Sequence, residues 1–145
     1  MIDQHKKKAL IKYIKQRQMS ECSEILLSPD LYFDGYDDGN CNICANNRNP
    51  ISTSQFAARL RKLQEQTEVS AVFIRFYDYT DAEESEDCWI GSDSVCLVTK
   101  VSLDMVREWF ADFEISNVQV ENDVSKFDGA PAILDGFHLV AVWWD

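Results

Sequence analysis

The chain has 145 residues, 46% of them hydrophobic and 27% charged, and its formal net charge is −11. These values predict one globular domain, residues 1–145, with its own hydrophobic core, and they exclude a disordered chain. Apolar runs fall short of the roughly 18 residues that a membrane-spanning helix needs, and the lysine-rich start is unlike a signal segment. We therefore expect a cytoplasmic protein that binds neither membranes nor nucleic acid directly, because both repel an acidic chain.

The negative charge is unevenly distributed along the chain. Residues 1–17 contain six Lys or Arg and one Asp, whereas residues 18–145 contain eight basic and 24 acidic residues. The body of the domain therefore carries a net charge of −16 and should attract basic surfaces. Solubility alone is the other explanation, since many acidic proteins use their charge only to remain dispersed.

The first third of the chain predicts helices and one short strand. An N-terminal helix, residues 1–19, has apolar residues on one stripe, and its lysines are expected to form a solvated face. Glu21 to Leu27 suggests a short helical turn that ends at Ser28-Pro29, because the residue before proline avoids the helical conformation. Leu31 to Phe33 then predicts a strand that opens an α+β core over residues 31–145.

A turn rich in Asp, Gly and Asn follows this strand. Its polar residues are Asp34, Asp37, Asp38 and Asn40, and Gly35 and Gly39 lie among them. Alternating oxygen atoms suggest a calcium loop, but the EF-hand spacing with Glu at position 12 is missing. Turn formation is therefore the favoured explanation, since Gly and Asn tolerate positive φ and Asp bonds its own backbone.

The middle of the chain predicts a helix and two neighbouring core strands. Ser52 and Gln55 have the spacing of a capping box, which predicts a helix from Thr53 to Gln66. Val69 to Tyr77 and Val95 to Thr99 are rich in β-branched and aromatic residues, as core strands are. The connection between them contains no Lys or Arg, and its acidic residues are Asp78, Asp81, Glu83, Glu84, Glu86, Asp87 and Asp93. Connections of this length in compact domains are usually functional or disordered.

The last third predicts one more helix and the end of the sheet. Ser102 is expected to cap a helix that runs to Phe113. Val118 to Val120 suggests a brief strand, Glu121 to Asp135 a loop, and Phe137 to Trp143 a strong terminal strand.

This order of elements predicts a ferredoxin-like (split βαβ) fold. It would contain an antiparallel sheet with two helices on one face, plus the extra N-terminal helix. The strands at 31–34 and 94–99 would be central, and those at 70–77 and 137–143 would be the edges.

The five cysteines predict neither a disulfide framework nor a metal site. Cys41 and Cys44 form a CxxC pair, but structural zinc needs four ligands and the sequence has no second pair. A redox CxxC lies at the N-terminus of a helix, whereas Asn46 to Pro50 separates this pair from the next helix. We therefore expect reduced cysteines, no bound metal and no cofactor.

Three stretches of the sequence resemble a family of small uncharacterised bacterial proteins. They are Phe33-Asp34-Gly35-Tyr36-Asp37-Asp38 with Cys41, Ser92-Asp93-Ser94-Val95, and Gly136-Phe137-His138 with Val142-Trp143-Trp144-Asp145. That family has an FF-(D/E)-G-N-D-D turn, an SD-x-V strand start and a terminal WWD, and the resemblance covers most of residues 31–145. Tyr36 stands where the family has Asn, and residues 78–91 are more acidic than its pattern. The resemblance implies no activity, but the family's acidic, Trp-rich character is similar to that of immunity proteins, which neutralise toxins.

These observations favour a non-enzymatic binding protein, most concretely an immunity protein or inhibitor of a basic toxin domain such as a nuclease. A nuclease cleft is cationic because it holds phosphates, so an acidic surface can occlude it. A nucleic-acid mimic that acts on a defence nuclease would use the same physics. The expected contact residues are Asp81, Glu83, Glu84, Glu86 and Asp87, then Asp34, Asp37 and Asp38 as a second patch, and Trp144 on the terminal strand.

The alternative is a metal-dependent or cysteine-dependent enzyme built on the Asp34–Cys44 turn. Its functional residues would be Asp34, Asp37, Asp38, Cys41 and Asp145. Nucleophile elbows, phosphate loops and dinucleotide fingerprints are missing from the sequence, so the enzyme hypothesis has less support than the binding protein.

Overall fold

The computed structural model describes residues 2–37, 39–129 and 131–145, and it shows a mixed α+β fold. Within these residues the helices are α1 (Gln4–Arg17), α2 (Pro29–Phe33), α3 (Thr53–Gln64), α4 (Thr80–Glu84) and α5 (Leu103–Trp109). The strands are β1 (Glu24–Leu27), β2 (Val69–Arg75), β3 (Ser94–Thr99), β4 (Asn117–Val120), β5 (Phe127–Asp128) and β6 (His138–Trp143). None of the described helices is long and apolar enough to cross a membrane.

Side chains cap three of the helices, and the caps at Ser52 and Ser102 are the ones expected from the sequence. Asp3 caps α1 by accepting a hydrogen bond from the Lys6 amide, and Ser102 caps α5 in the same way. At α3 both halves of the capping box between Ser52 and Gln55 are formed. Side-chain caps of this kind satisfy amide groups that have no partner within the helix. The helix expected up to Phe113 ends earlier, at Trp109, and a 3₁₀ turn (Ala111–Phe113) follows it.

The strands form one sheet in the order β4-β6-β3-β2-β1-β5. The described pairs are antiparallel except for β1 with β5. The central strand is β3, whose six residues are all buried. The prediction that β2 and β3 are neighbouring core strands is confirmed, with Ile74 opposite Val95 and Val72 opposite Leu97.

The predicted ferredoxin-like topology is wrong. The sheet has six strands rather than four, and both strands expected at its edges, β2 and β6, lie inside it. The segment 21–27, expected to be helical, contains strand β1. Ile25, Leu26 and Leu27 are all buried because the sheet is covered on both faces at this point, and a short apolar run of this kind does not distinguish a strand from a helix.

Leu31 to Phe33, expected to be a strand, lies in helix α2. Ser28 caps this helix by accepting a hydrogen bond from the Leu31 amide at 3.1 Å, and Pro29 occupies its first turn. The fixed φ of proline suits this position, where the missing N–H group would have no helical partner. Ser28-Pro29 is therefore a helix start rather than the expected stop.

The sheet separates two hydrophobic clusters. All five described helices place buried residues in the larger cluster, which also contains Ile74, Val95 and Leu97. The N-terminal helix therefore lies on the same face as the others. On the opposite face, Phe127, Phe137 and neighbouring residues of the 124–137 segment pack against Cys96 and Leu139.

Candidate functional site

The acidic connection between β2 and β3 is a packed segment. Ala82, Trp89 and Ile90 are buried. The Trp89 ring stacks on Tyr36 at a centroid distance of 5.1 Å, and its indole N–H donates to the Tyr32 carbonyl at 2.9 Å. The acidic side chains therefore project from a backbone that the core holds in place.

Lys7 attaches the same segment to α1. Its side chain is 4% exposed, and its ammonium donates to the carbonyl oxygens of Ser85 and Cys88 at 2.8 and 3.0 Å. The prediction that the lysines of α1 form a solvated face is therefore wrong for Lys7, although Lys8 and Lys12 are exposed. Hydrogen bonds from a charged donor to buried carbonyl oxygens are stronger than those between neutral groups.

A close contact between Asp78 and Gly91 brings the two ends of the connection together. The Gly91 amide donates to the Asp78 carbonyl at 2.6 Å. A Cβ atom at position 91 would lie 2.9 Å from that carbonyl oxygen, so glycine is the residue that allows the approach. This contact places Asp78 and Asp93 on the same side of the molecule.

The acidic connection forms one wall of the candidate site, and the Cys41–Cys44 segment forms a second wall. The Cys41 amide donates to the Ile51 carbonyl at 2.8 Å, and a 3₁₀ turn (Asn42–Cys44) follows. The Asn42 side chain donates to the Ile90 carbonyl at 2.8 Å. The wall is thus bonded directly to the acidic connection.

The end of the chain closes the third side of the site. The Trp144 amide donates to the Asp93 carbonyl at 2.9 Å, and the Asp145 amide donates to Ser116 Oγ at 2.8 Å. Trp144 itself is 4% exposed, and its indole donates to the Phe113 carbonyl at 2.7 Å. The Trp144 ring therefore packs in the core rather than on the surface, and its contact with a partner stays a prediction.

These three walls enclose a cleft of about 670 Å³, which we call the acidic cleft. Its carboxylates are those of Asp78, Asp81, Asp87, Asp93 and Asp145. Among the residues that the structure describes, no Lys, Arg or His lines it. Tyr77, whose side chain is 72% exposed, lies on its rim. A concave site with one sign of charge concentrates the electrostatic field and attracts groups of opposite charge.

The expected contact charges divide between two sites. Asp81 and Asp87 line the acidic cleft. Glu83, Glu84 and Glu86 instead line a groove between α1 and α4, together with lysines of α1. Within this groove Lys15 pairs with Glu83 at 2.8 Å. Lysines of α1 therefore lie in the same groove as these three glutamates, and one of them pairs with Glu83. Among the described residues, no cation lines the acidic cleft.

Asp34, from the second expected patch, lies apart from the acidic cleft. Asp34 pairs with Lys6 at 2.6 Å on the exposed surface and lines a different cavity beside α3. Asp37 is exposed, and Asp38 lies outside the described residues. Of the residues proposed for an enzyme, Cys41 and Asp145 line the acidic cleft together, but Asp34 does not join them.

The cysteines of the acidic cleft are Cys41, Cys44 and Cys88, and all five cysteines of the chain are free thiols. A hydrogen bond from Cys41 to Cys44, together with burial, raises the pKa of Cys41, and the same bond lowers the pKa of Cys44. Burial raises the pKa of Cys96 to about 12. Across residues 2–37, 39–129 and 131–145, no group of three or more His, Cys, Asp or Glu is arranged to hold a metal ion.

These environments predict two classes of thiol. Cys22 and Cys88 are half-buried, whereas Cys41, Cys44 and Cys96 are buried. We expect iodoacetamide at pH 8 to modify the first two at least about tenfold faster, because alkylation needs an accessible thiolate. Mass spectrometry after timed quenching measures the sites, and unfolding in guanidinium should make all five reactive. Rapid modification of Cys96 in the folded protein would contradict the buried position of β3.

Some residues of the acidic cleft are not among the contact residues expected from the sequence. Asp78 and Asp93 are expected only as acidic residues of the connection between β2 and β3, and Tyr77 is expected in the strand. The position of Asp78 just beyond a strand could have indicated a site residue. Its approach to Gly91, however, depends on the pairing of β2 with β3. Asp145 is expected only as a residue of the alternative enzyme and not as a partner contact. Its position in the cleft depends on the contacts that Ser116 and Trp144 make.

Comparisons with known proteins place the chain in a family without assigning an activity. No curated protein and no solved structure gave a match. A family model, described as the uncharacterized protein YfbO family, matches residues 5–142. The expected resemblance to a small uncharacterised family is confirmed at this level, and the match extends into the N-terminal helix, which that resemblance did not cover. The chain therefore belongs to the uncharacterized protein YfbO family.

Proposed function

We propose that this protein is a non-enzymatic binding protein that uses the acidic cleft to hold a basic protein domain. The observation that carries the proposal is the charge of the cleft, where five aspartates line one cavity without a cationic residue among the described ones. Like charges in one place repel each other and reduce stability. The three glutamates in the α1–α4 groove show the usual arrangement, with lysines facing them.

The most concrete form of this proposal is an immunity protein or inhibitor that blocks a toxin domain of the nuclease kind. Such a domain holds phosphates with Lys and Arg, so an acidic concave surface competes for the same cations. A nucleic-acid mimic that acts on a defence nuclease would use the same charges. Tyr77, exposed on the rim, supplies the aromatic side chain that often contributes most to binding at protein interfaces.

The test is the binding of a nona-arginine peptide, measured by isothermal titration at low and high salt. We expect the double variant Asp81→Asn, Asp87→Asn to bind about fivefold more weakly at low salt, since each exposed charge contributes roughly 0.2–1 kcal/mol. Binding to the wild-type protein should weaken steeply as salt increases.

The matched control is the double variant Glu84→Gln, Glu86→Gln. It changes the net charge by the same amount, but both residues line the groove beside the α1 lysines. We expect its affinity for the peptide to stay within about twofold of wild type. Equal weakening of both double variants would show that the peptide responds only to the net charge, and the acidic cleft would then lose its role.

A further inference from the structure

A second cavity adjoins the acidic cleft on the other side of Tyr77. Its volume is about 560 Å³, and we call it the Ser94 cavity. Tyr77, Asp93 and Asp145 line both cavities, so the two form one continuous depression. Deeper in, the Ser94 cavity is lined by Glu24, Arg75, Ser94, Glu121, Lys126 and Trp143.

Ser94 is the unusual residue of this cavity. It lies on β3 directly opposite Arg75 on one side and Trp143 on the other, so the three side chains share one face of the sheet. Ser94 is 2% exposed, and its hydroxyl has no hydrogen-bond partner among the described residues. Buried hydroxyl groups are nearly always paired, since an unpaired one loses its bonds to water without replacement.

Four charged groups of the cavity pair with each other, and its two remaining carboxylates, Asp93 and Asp145, lie on the side that it shares with the acidic cleft. Arg75 donates to both carboxylate oxygens of Glu24, at 2.7 and 3.2 Å, and Lys126 pairs with Glu121 at 3.1 Å. Arg75 Nη1 lies 3.8 Å from Glu121, beyond hydrogen-bond distance. Beside Ser94 the cavity therefore offers an unpaired hydroxyl and a guanidinium donor among paired charges.

We infer that the Ser94 cavity is a second subsite, which takes the carboxamide of an Asn or Gln side chain from the polypeptide that docks in the acidic cleft. This inference rests on the proposed function, because it assigns the neighbouring residue of the same partner. A carboxamide can donate to Glu121 and accept from Ser94 and Arg75. Beside Ser94 a carboxylate would meet Glu24 and Glu121, and an ammonium would meet Arg75 and Lys126, so each ion has a like charge next to it and the neutral amide does not.

The test uses three probes of similar size, namely propionamide, propionate and propylammonium, without any partner protein. Each is titrated into the ¹⁵N-labelled protein, and the amide signals of Ser94 and Gln119 and the indole signal of Trp143 are followed. We expect saturable shifts with propionamide and a dissociation constant at least about fivefold lower than with either ion. Ser94→Ala should weaken propionamide binding about threefold or more, whereas Asp81→Asn, which changes only the acidic cleft, should not.

Three outcomes would overturn the inference. They are the absence of saturable shifts with propionamide, an equal response in Ser94→Ala, and a preference for one of the ions. Because these probes carry no arginine, the result is independent of the nona-arginine titration. Loss of peptide binding with intact propionamide binding would reject the acidic cleft and retain the Ser94 cavity as an amide site, whereas the reverse result would reject the Ser94 cavity alone.

Discussion

Replacing Trp144 with alanine is expected to lower the free energy of unfolding by about 3–5 kcal/mol, the usual cost of removing a large aromatic side chain from a core. The Trp144 ring packs on Phe56 and Phe110 at centroid distances of 5.3 and 5.9 Å. Its indole N–H donates to the Phe113 carbonyl at 2.7 Å. The substitution therefore removes packing and leaves a buried carbonyl without its partner. Urea titration followed by circular dichroism measures the change.

Two control variants separate these contributions. Trp144→Phe keeps most of the ring but removes the donor, so it should cost about 1–2 kcal/mol, as expected for one buried unpaired carbonyl. Trp143→Ala should cost less than Trp144→Ala, because Trp143 is only half-buried. A larger loss at position 143 than at 144 would mean that the two side chains have exchanged faces.

Replacing Lys7 with methionine is expected to cost about 2–4 kcal/mol. Methionine preserves most of the side-chain length, so the loss comes from the two hydrogen bonds that the ammonium donates to Ser85 and Cys88. Each carbonyl that remains buried without a partner costs about 1–3 kcal/mol, and part of this is recovered where water reaches it. Urea titration measures the total.

Local hydrogen exchange gives an independent measure of the same contact. The amides of residues 85–88 should exchange faster in the Lys7 variant, because the segment has lost its connection to α1. Lys12→Met is the matched control, since Lys12 is an exposed residue of the same helix, and its effect should stay within about 0.5 kcal/mol. If Lys7 and Lys12 gave equally small effects, the connection would not depend on Lys7.

The local elements that carry strong signals could be predicted from the sequence. The capping box at Ser52 and the cap at Ser102 determine where their helices begin, because the bonds involve residues three positions apart. The β-branched and aromatic run at Val69 likewise determined a strand. These interactions are local, so the order of residues is enough to reveal them.

Short elements depended on their surroundings. Glu24 to Leu27 is a strand because β2 and β5 lie beside it, and one acidic residue followed by three apolar ones contains too little periodicity to show this. Ser28-Pro29 carries a readable helix-start signal, although a stop was expected there. The expected topology is wrong because strands β1 and β5 were missed and a strand was expected at 31–33, which changed the apparent order of the sheet.

The composition determined that the domain body is acidic, but only the tertiary structure decided which carboxylates act together. Asp81 and Glu83 are two residues apart in α4, yet one faces the acidic cleft and the other faces Lys15. Asp145 joins the cleft from the far end of the chain because Trp144 is held in the core. Such groupings depend on contacts between distant residues, and charge spacing along the chain contains no information about them.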